Sequence, residues 1–273
     1  MAEADETVTH VPDEPEPEEE VAQMSLLDHL NELRIRGTWA LGALFVGTLI
    51  GFAFSEPLLE YLMQPYLASV PQAAAGLQTL RPTEGIETFF KVSLLFGAVL
   101  AMPVVVYQFW LFISPGLTSK EKRYVYIFVP SVLALFLLGI SFAWFVLVPA
   151  AINFLANFMQ DVFRTEWTGQ DYISFVVRMV FWLGISFEMP IVMYFMARLG
   201  IVTAVVLKDN WRYAIVGIAI LAAIITPSID PVTMLLTMAP LLILYILSIF
   251  LARIGQRQFE RSMALESDLD PAE

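Results

Sequence analysis

The sequence has no cysteine, which excludes disulfides, thiolate metal sites and thiol nucleophiles. Its two histidines, His10 and His29, both precede the first long apolar run, leaving little for a buried histidine-based active site. Charge is scarce: 15% of the 273 residues are charged, too few to cover the surface of a soluble fold of this size. Bases are missing altogether from the first twenty residues, which hold nine acids. That Pro- and Glu-rich opening cannot bury apolar surface, so residues 1–23 are expected to form a disordered, solvated acidic tail. With neither a basic start nor an apolar core, the tail does not read as a secretory signal peptide. It also supplies most of the net charge of −12; from Met24 onward 18 acids face 15 bases.

What the chain does have is apolar length. The hydrophobic set makes up 58% of residues, above the roughly 45–50% usual in soluble domains. A bilayer core about 30 Å thick takes about 20 apolar residues of helix. Uncharged runs at 37–54, 92–119 and 124–160, and the apolar stretches after them, divide into six spans, near 36–55, 90–112, 124–148, 172–197, 213–226 and 232–252. Pro115-Gly116 ends the second. Pro149 is expected to bend the chain after the third into an interfacial segment carrying Asn153, Asn157 and Gln160. The fold class is therefore all-α, a polytopic membrane domain over 24–258 with a C-terminal tail at 259–273.

Six spans place both termini on one side, and basic residues say which. Arg34, Arg36, Lys120, Lys122, Arg123, Arg198, Lys208, Arg212, Arg253, Arg257 and Arg261 lie on the terminal side, whereas Arg81 and Arg164 lie opposite. By the positive-inside rule both termini, and the tails, are cytoplasmic. The fifth span is short: about 14 residues rise roughly 21 Å, less than the core thickness. Such a helix thins the bilayer, snorkels its flanks or packs on a partner.

A few charges need a reason to be where they are. Glu188 sits deep in the fourth span, where a carboxylate costs roughly 2.5–3.5 kcal/mol to insert. It calls for a cavity, a partner or a bound proton, and Pro190 beside it strains the helix. Arg178, about 15 Å away along the helix, is expected to snorkel outward. Glu32 and Arg36, at i and i+4, can pair on a helix. Leu26, Leu27, Leu30 and Leu33 recur at helical spacing and suggest an amphipathic stretch on the inner membrane surface. Glu121, in the loop after the second span, comes to the same face as Glu32. Asp230 before Pro231 is a helix-start signal.

Four stretches together resemble the TatC family. They are His29-Leu-Asn-Glu-Leu-Arg34; Met102-Pro103 through Tyr107-Gln-Phe-Trp-Leu-Phe-Ile-Ser-Pro-Gly-Leu-Thr-Ser-Lys-Glu-Lys-Arg123; Gly184-Ile-Ser-Phe-Glu-Met-Pro190; and Thr226-Pro227 with Asp230-Pro231. They run in order over about residues 24–258. The resemblance implies a cup-shaped six-helix receptor in the cytoplasmic membrane, working in a multimeric complex with small single-span TatA and TatB subunits. It would recognise signal peptides bearing two consecutive arginines and export folded cargo on the proton-motive force. By motif, Glu32 and Glu121 would contact the arginine pair, Arg34 and Arg123 would support them, and Pro103 and Phe112 would shape the second-span side. Glu188 would be the acid inside the cup. Thr226, Asp230 and Met234, with the fifth span, would border a partner-helix site. Relatives often carry Gln at Met234, so a polar contact is not expected there. The acidic opening lies outside the pattern.

Adjacent guanidiniums suit this arrangement, since each presents a planar fork of donors that matches a carboxylate. A proton-coupled small-solute transporter using Glu188 is the alternative reading, but the two halves show no convincing internal repeat of the kind many transporters have. An intramembrane enzyme lacks its residues: no cysteine, no histidine in the spans and no carboxylate pair there. No metal cluster, phosphate-binding loop, cofactor or nucleic-acid partner is implied.

Overall fold

The computed structural model describes residues 26–70, 77–113, 125–159, 161–162, 167–226 and 230–269. The expected tail over 1–23, Glu121, Arg123 and the turn residues 227–229 lie outside them. Among the described residues there is no β-strand, only an isolated bridge between Gln78 and Thr168. Five helical stretches are long and apolar enough to cross a membrane, and a shorter one, Trp211–Ile225, makes the sixth.

The chain runs α1 (Leu26–Ala53), α2 (Ser55–Ser69), α3 (Glu84–Ile113), α4 (Val125–Phe142), a π turn (Ala143–Leu147), α5 (Val148–Asn157), α6 (Gly169–Ser186), α7 (Met189–Arg198), α8 (Ala204–Asp209), α9 (Trp211–Ile225) and α10 (Pro231–Leu269). Helix α6 is the hub. Tyr172, Ile173, Val176, Met179, Val180 and Leu183 recur on one side of it and are buried, the three-to-four spacing that puts residues on one helix face. They pack with Val92 of α3, with Leu147 and Val148, and with Ala151 and Ile152 of α5.

Helices α1 and α3 are antiparallel and in backbone contact. A Cβ at Gly47 would lie 2.6 Å from the Gly97 carbonyl oxygen, and one at Gly51 would lie 2.4 Å from that of Ser93. Small residues at membrane helix interfaces allow this approach, since lipid supplies no hydrophobic drive between helices. His29 meets Phe112 at one end of the pair. Trp110, Phe128 and Phe195 meet at that end too, and Tyr194 bonds Gln258 there. The start of α1, the ends of α3 and α7 and the later turns of α10 therefore share one end. At the other, Tyr172 donates to the Leu62 carbonyl at 2.7 Å.

Three sequence expectations change. Residues 26–36 do not form a separate surface helix; they continue into the first span as one 28-residue helix. Pro149 does not end the helix. The π turn ahead of it widens the helix by one residue, and α5 runs on to Asn157; such turns re-register a helix so that Pro is accommodated. Residues 55–69 form a helix, α2, that no apolar run announced. The fifth span stays short at 15 residues, rising about 22 Å.

Candidate functional site

At the end where α1 begins, three polar groups lie at one level. The antiparallel register sets α3 residues 108–112 at the level of α1 residues 29–36. Glu32 is 15% exposed and its Oε1 accepts from Arg36 Nη2 at 3.2 Å, the i, i+4 pair expected from sequence. Its Oε2 is buried with no hydrogen-bond partner among the described residues, and so are Arg36 Nε and Gln108 Oε1. Buried polar atoms are nearly always satisfied, so three orphans at one level mark an unfinished site. Arg34 points outward and donates to Asn31 Oδ1 at 3.0 Å. Phe112 is half-buried and stacks on His29. Pro103 lies about 14 Å further along α3, on an exposed face, and does not join the cluster.

Glu188 lies elsewhere. The fourth span breaks at Phe187-Glu188: α6 ends at Ser186, α7 starts at Met189, and Pro190 sits in the first turn of α7. Pro is well placed there because first-turn N–H groups have no intrahelical partner. Glu188 borders a groove of about 500 Å³ between α1, α3, α4 and the fourth span, lined by Leu41, Leu44, Met102, Val105, Val132 and Phe181. Its Oε1 is buried without a hydrogen-bond partner among the described residues. One unpartnered carboxylate in an otherwise apolar concavity is the cavity that its depth required. Arg178 is exposed and donates from Nε to the Ser174 carbonyl at 3.3 Å.

At the far end of the bundle the partner-helix candidates have structural bonds. Thr226 is buried and donates to the Ala222 carbonyl at 2.8 Å. Asp230 Oδ1 accepts from the Thr233 backbone N–H at 2.7 Å, capping α10 ahead of Pro231. Met234 packs against the core from a half-buried position.

Two groups escaped the sequence reading. Gln108 lay within the second-span motif, but nothing in a single sequence distinguishes a buried amide from a lipid-facing one. Near the opposite end of the bundle, buried Glu84 accepts from the Leu80 N–H at 3.1 Å and from Arg81 Nε at 3.4 Å. Gln170 donates to Glu87 at 2.6 Å and accepts from Arg81. This bracket ties the start of α3 to that of α6. Among the described residues no group of acids and histidines could hold a metal.

The chain matches the family model described as Sec-independent protein translocase protein (TatC) over residues 28–240. It is 40% identical over 240 residues to the Sec-independent protein translocase protein TatC of Aquifex aeolicus, covering 86% of this chain and 97% of that protein. It is 33% identical to TatCy of Bacillus subtilis, covering 91% and 96% of the two chains. The chloroplastic protein of Pisum sativum is 36% identical, with 86% of this chain and 65% of that protein covered. A crystal structure of the twin arginine translocase receptor TatC superposes with a TM-score of 0.77 at 40% identity, covering 83% of this chain and 99% of that one. The six-helix membrane chain described above belongs to the TatC family of Sec-independent protein translocase proteins.

Proposed function

We propose that this multi-pass protein is the signal-peptide receptor of a twin-arginine translocase in the cytoplasmic membrane, with the end carrying Glu32 facing the cytoplasm. The observation that carries the reading is the unfinished polar cluster. Glu32 Oε2 and Gln108 Oε1 are buried acceptors lacking donors among the described residues, and a guanidinium supplies donors in a planar fork. Two adjacent arginines call for a second carboxylate, and Glu121, nine residues beyond Phe112 in sequence, supplies it. Arg34 and Arg123 flank the two acids in sequence and hold this patch, with Phe112 and Pro103 on its second-span side. The apolar part of a signal peptide is covered by the groove that Glu188 borders.

Small single-span subunits of the TatA and TatB type dock along the fifth span. That helix is too short for the bilayer core and exposes Val216, Ile220 and Ile224. A partner helix there relieves the mismatch, beside Thr226, Asp230 and Met234. Export of folded cargo then draws on the proton-motive force, with Glu188 acting after binding. Family membership in a protein translocase favours this reading over small-solute transport.

The test is affinity for a twin-arginine signal peptide, measured on the protein in membranes with Glu32→Ala and Glu121→Ala. Each loses a charge-assisted hydrogen bond of about 1.5–3 kcal/mol, roughly 10- to 150-fold in affinity. Unchanged affinity in both would sink the assigned roles. Crosslinks from position 121 to the arginine pair place the peptide independently.

A further inference from the structure

A second polar recess lies at the same end of the bundle, away from the Glu32 cluster. The short helix α8 lies against α10, where Gln256 Oε1 accepts from the Ala204 N–H at 3.0 Å. The cleft between them has a volume of about 360 Å³ and is lined by Lys208, Arg253 and Arg257 together with Asp209 and Glu260. Glu260 is engaged, accepting from Gln256 Nε2 at 2.9 Å. Among the described residues, none of the three cations has a carboxylate within 4.0 Å. With three cations and two acids, the lining keeps an excess of positive charge that an anion would neutralise.

Its depth says where that anion comes from. Arg253 stands about 33 Å along α10 from Pro231, close to one bilayer core thickness of about 30 Å. The cleft thus opens at headgroup level. Trp211 and Tyr213, both exposed, sit just past α8, and such rings mark the interface. Ile201, Val205 and Val206 are exposed next to the cleft, offering apolar surface to an acyl chain. A soluble anion would use the cations and leave that surface bare.

We propose that the cleft between α8 and α10 binds the phosphate of an anionic phospholipid, held by Lys208, Arg253 and Arg257. Basic recesses between helices at the cytoplasmic interface suit such headgroups. The lipid pins α8 to α10 and fixes the loop that leads into the short span α9.

Native mass spectrometry of the full-length protein in detergent, titrated with phosphatidylglycerol or with phosphatidylcholine, tests this. Wild type retains phosphatidylglycerol in preference to phosphatidylcholine. Removing both arginines in the Arg253→Gln/Arg257→Gln protein weakens that retention about thirtyfold. Phosphatidylcholine retention does not change. Lys208→Gln, a milder variant on an exposed position, weakens it about fivefold. Arg212→Gln leaves it intact, since Arg212 lies outside the cleft, over the Trp211 ring at 5.6 Å. Equal retention of the two lipids by wild type would overturn the proposal. So would undiminished phosphatidylglycerol retention in both cleft variants, or full displacement of the lipid by soluble glycerol phosphate. None of these readouts depends on signal-peptide binding.

Discussion

The ring of His29 stacks on that of Phe112, with centroids 4.4 Å apart and planes at 22°. This contact joins the first turns of α1 to the last turn of α3. The segment bearing Glu32 is thereby held to the one that leads toward Glu121. The rings set a distance between two chain segments that a peptide with paired arginines would have to match. Neither ring need touch the peptide to matter.

Phe112→Ala removes the stack and frees the two segments. An aromatic pair of this kind contributes about 0.5–1.5 kcal/mol beyond its buried area, so twin-arginine peptide affinity should fall about 2- to 12-fold. His29→Ala should give a similar loss. The double variant should lose no more than either alone, because the two act through one contact. Additive losses in a binding cycle would show that the rings act separately.

Gln108→Leu makes a sharper demand on the polar cluster. Gln108 Oε1 is buried without a donor among the described residues, and an unsatisfied buried acceptor costs about 1–3 kcal/mol. Leucine of similar volume removes that cost, so the thermal midpoint in detergent should rise. Peptide affinity should drop at the same time, because the peptide would lose an acceptor. A variant that is less stable, yet binds as before, would show that Gln108 serves packing rather than recognition.

Much of this architecture was legible in the sequence because bilayer thickness is a strict ruler. Runs of apolar residues specify six helices. The break at Glu188 followed from Pro190, and the cap on α10 from Asp230 before Pro231. Pro149 misled for a physical reason. The cost of a proline depends on the hydrogen-bond register ahead of it, and the π turn at Ala143–Leu147 has no sequence mark. Helix α2 was missed because Glu56, Glu60 and Pro57 interrupt its apolar pattern. Glu32 was legible by motif, but its orphaned oxygen and the Gln108 at its level depend on the register of α1 against α3. A single chain cannot show that register.

Glu188→Leu separates stability from function. The carboxylate borders an apolar groove and its Oε1 has no donor among the described residues, so replacing it with an apolar side chain should raise the thermal midpoint. Peptide affinity should not fall, since the arginine pair is held at the level of Glu32 and leucine keeps the groove over the apolar part of the peptide apolar. Export of a folded cargo in vesicles should fall sharply if the acid acts after binding. Glu188→Gln, which keeps shape and polarity but no charge, should export no better than Glu188→Leu. Export at the wild-type rate by Glu188→Gln would make the residue structural.

The α1–α3 seam sets the spacing of the cluster, and its glycines test it. A Cβ at Gly51 meets the Ser93 carbonyl oxygen at 2.4 Å, and one at Gly97 meets the Thr48 backbone nitrogen at 2.5 Å. Both obstacles are backbone, so the helices themselves would have to separate. Overpacking costs about 1–3 kcal/mol, and rigid backbone neighbours put these sites at the upper end. The gain of about 1 kcal/mol in helix propensity from Gly to Ala is too small to offset it. Gly51→Ala and Gly97→Ala should therefore lower the thermal midpoint. Gly42→Ala, on the same helix α1 but with nothing within 4 Å of its Cβ, should hold it or raise it. Because the seam also carries His29 and Glu32 toward Phe112 and Gln108, the two destabilised variants should bind signal peptide more weakly than Gly42→Ala does. Equal midpoints in all three would mean that the seam is not closed at Gly51 and Gly97.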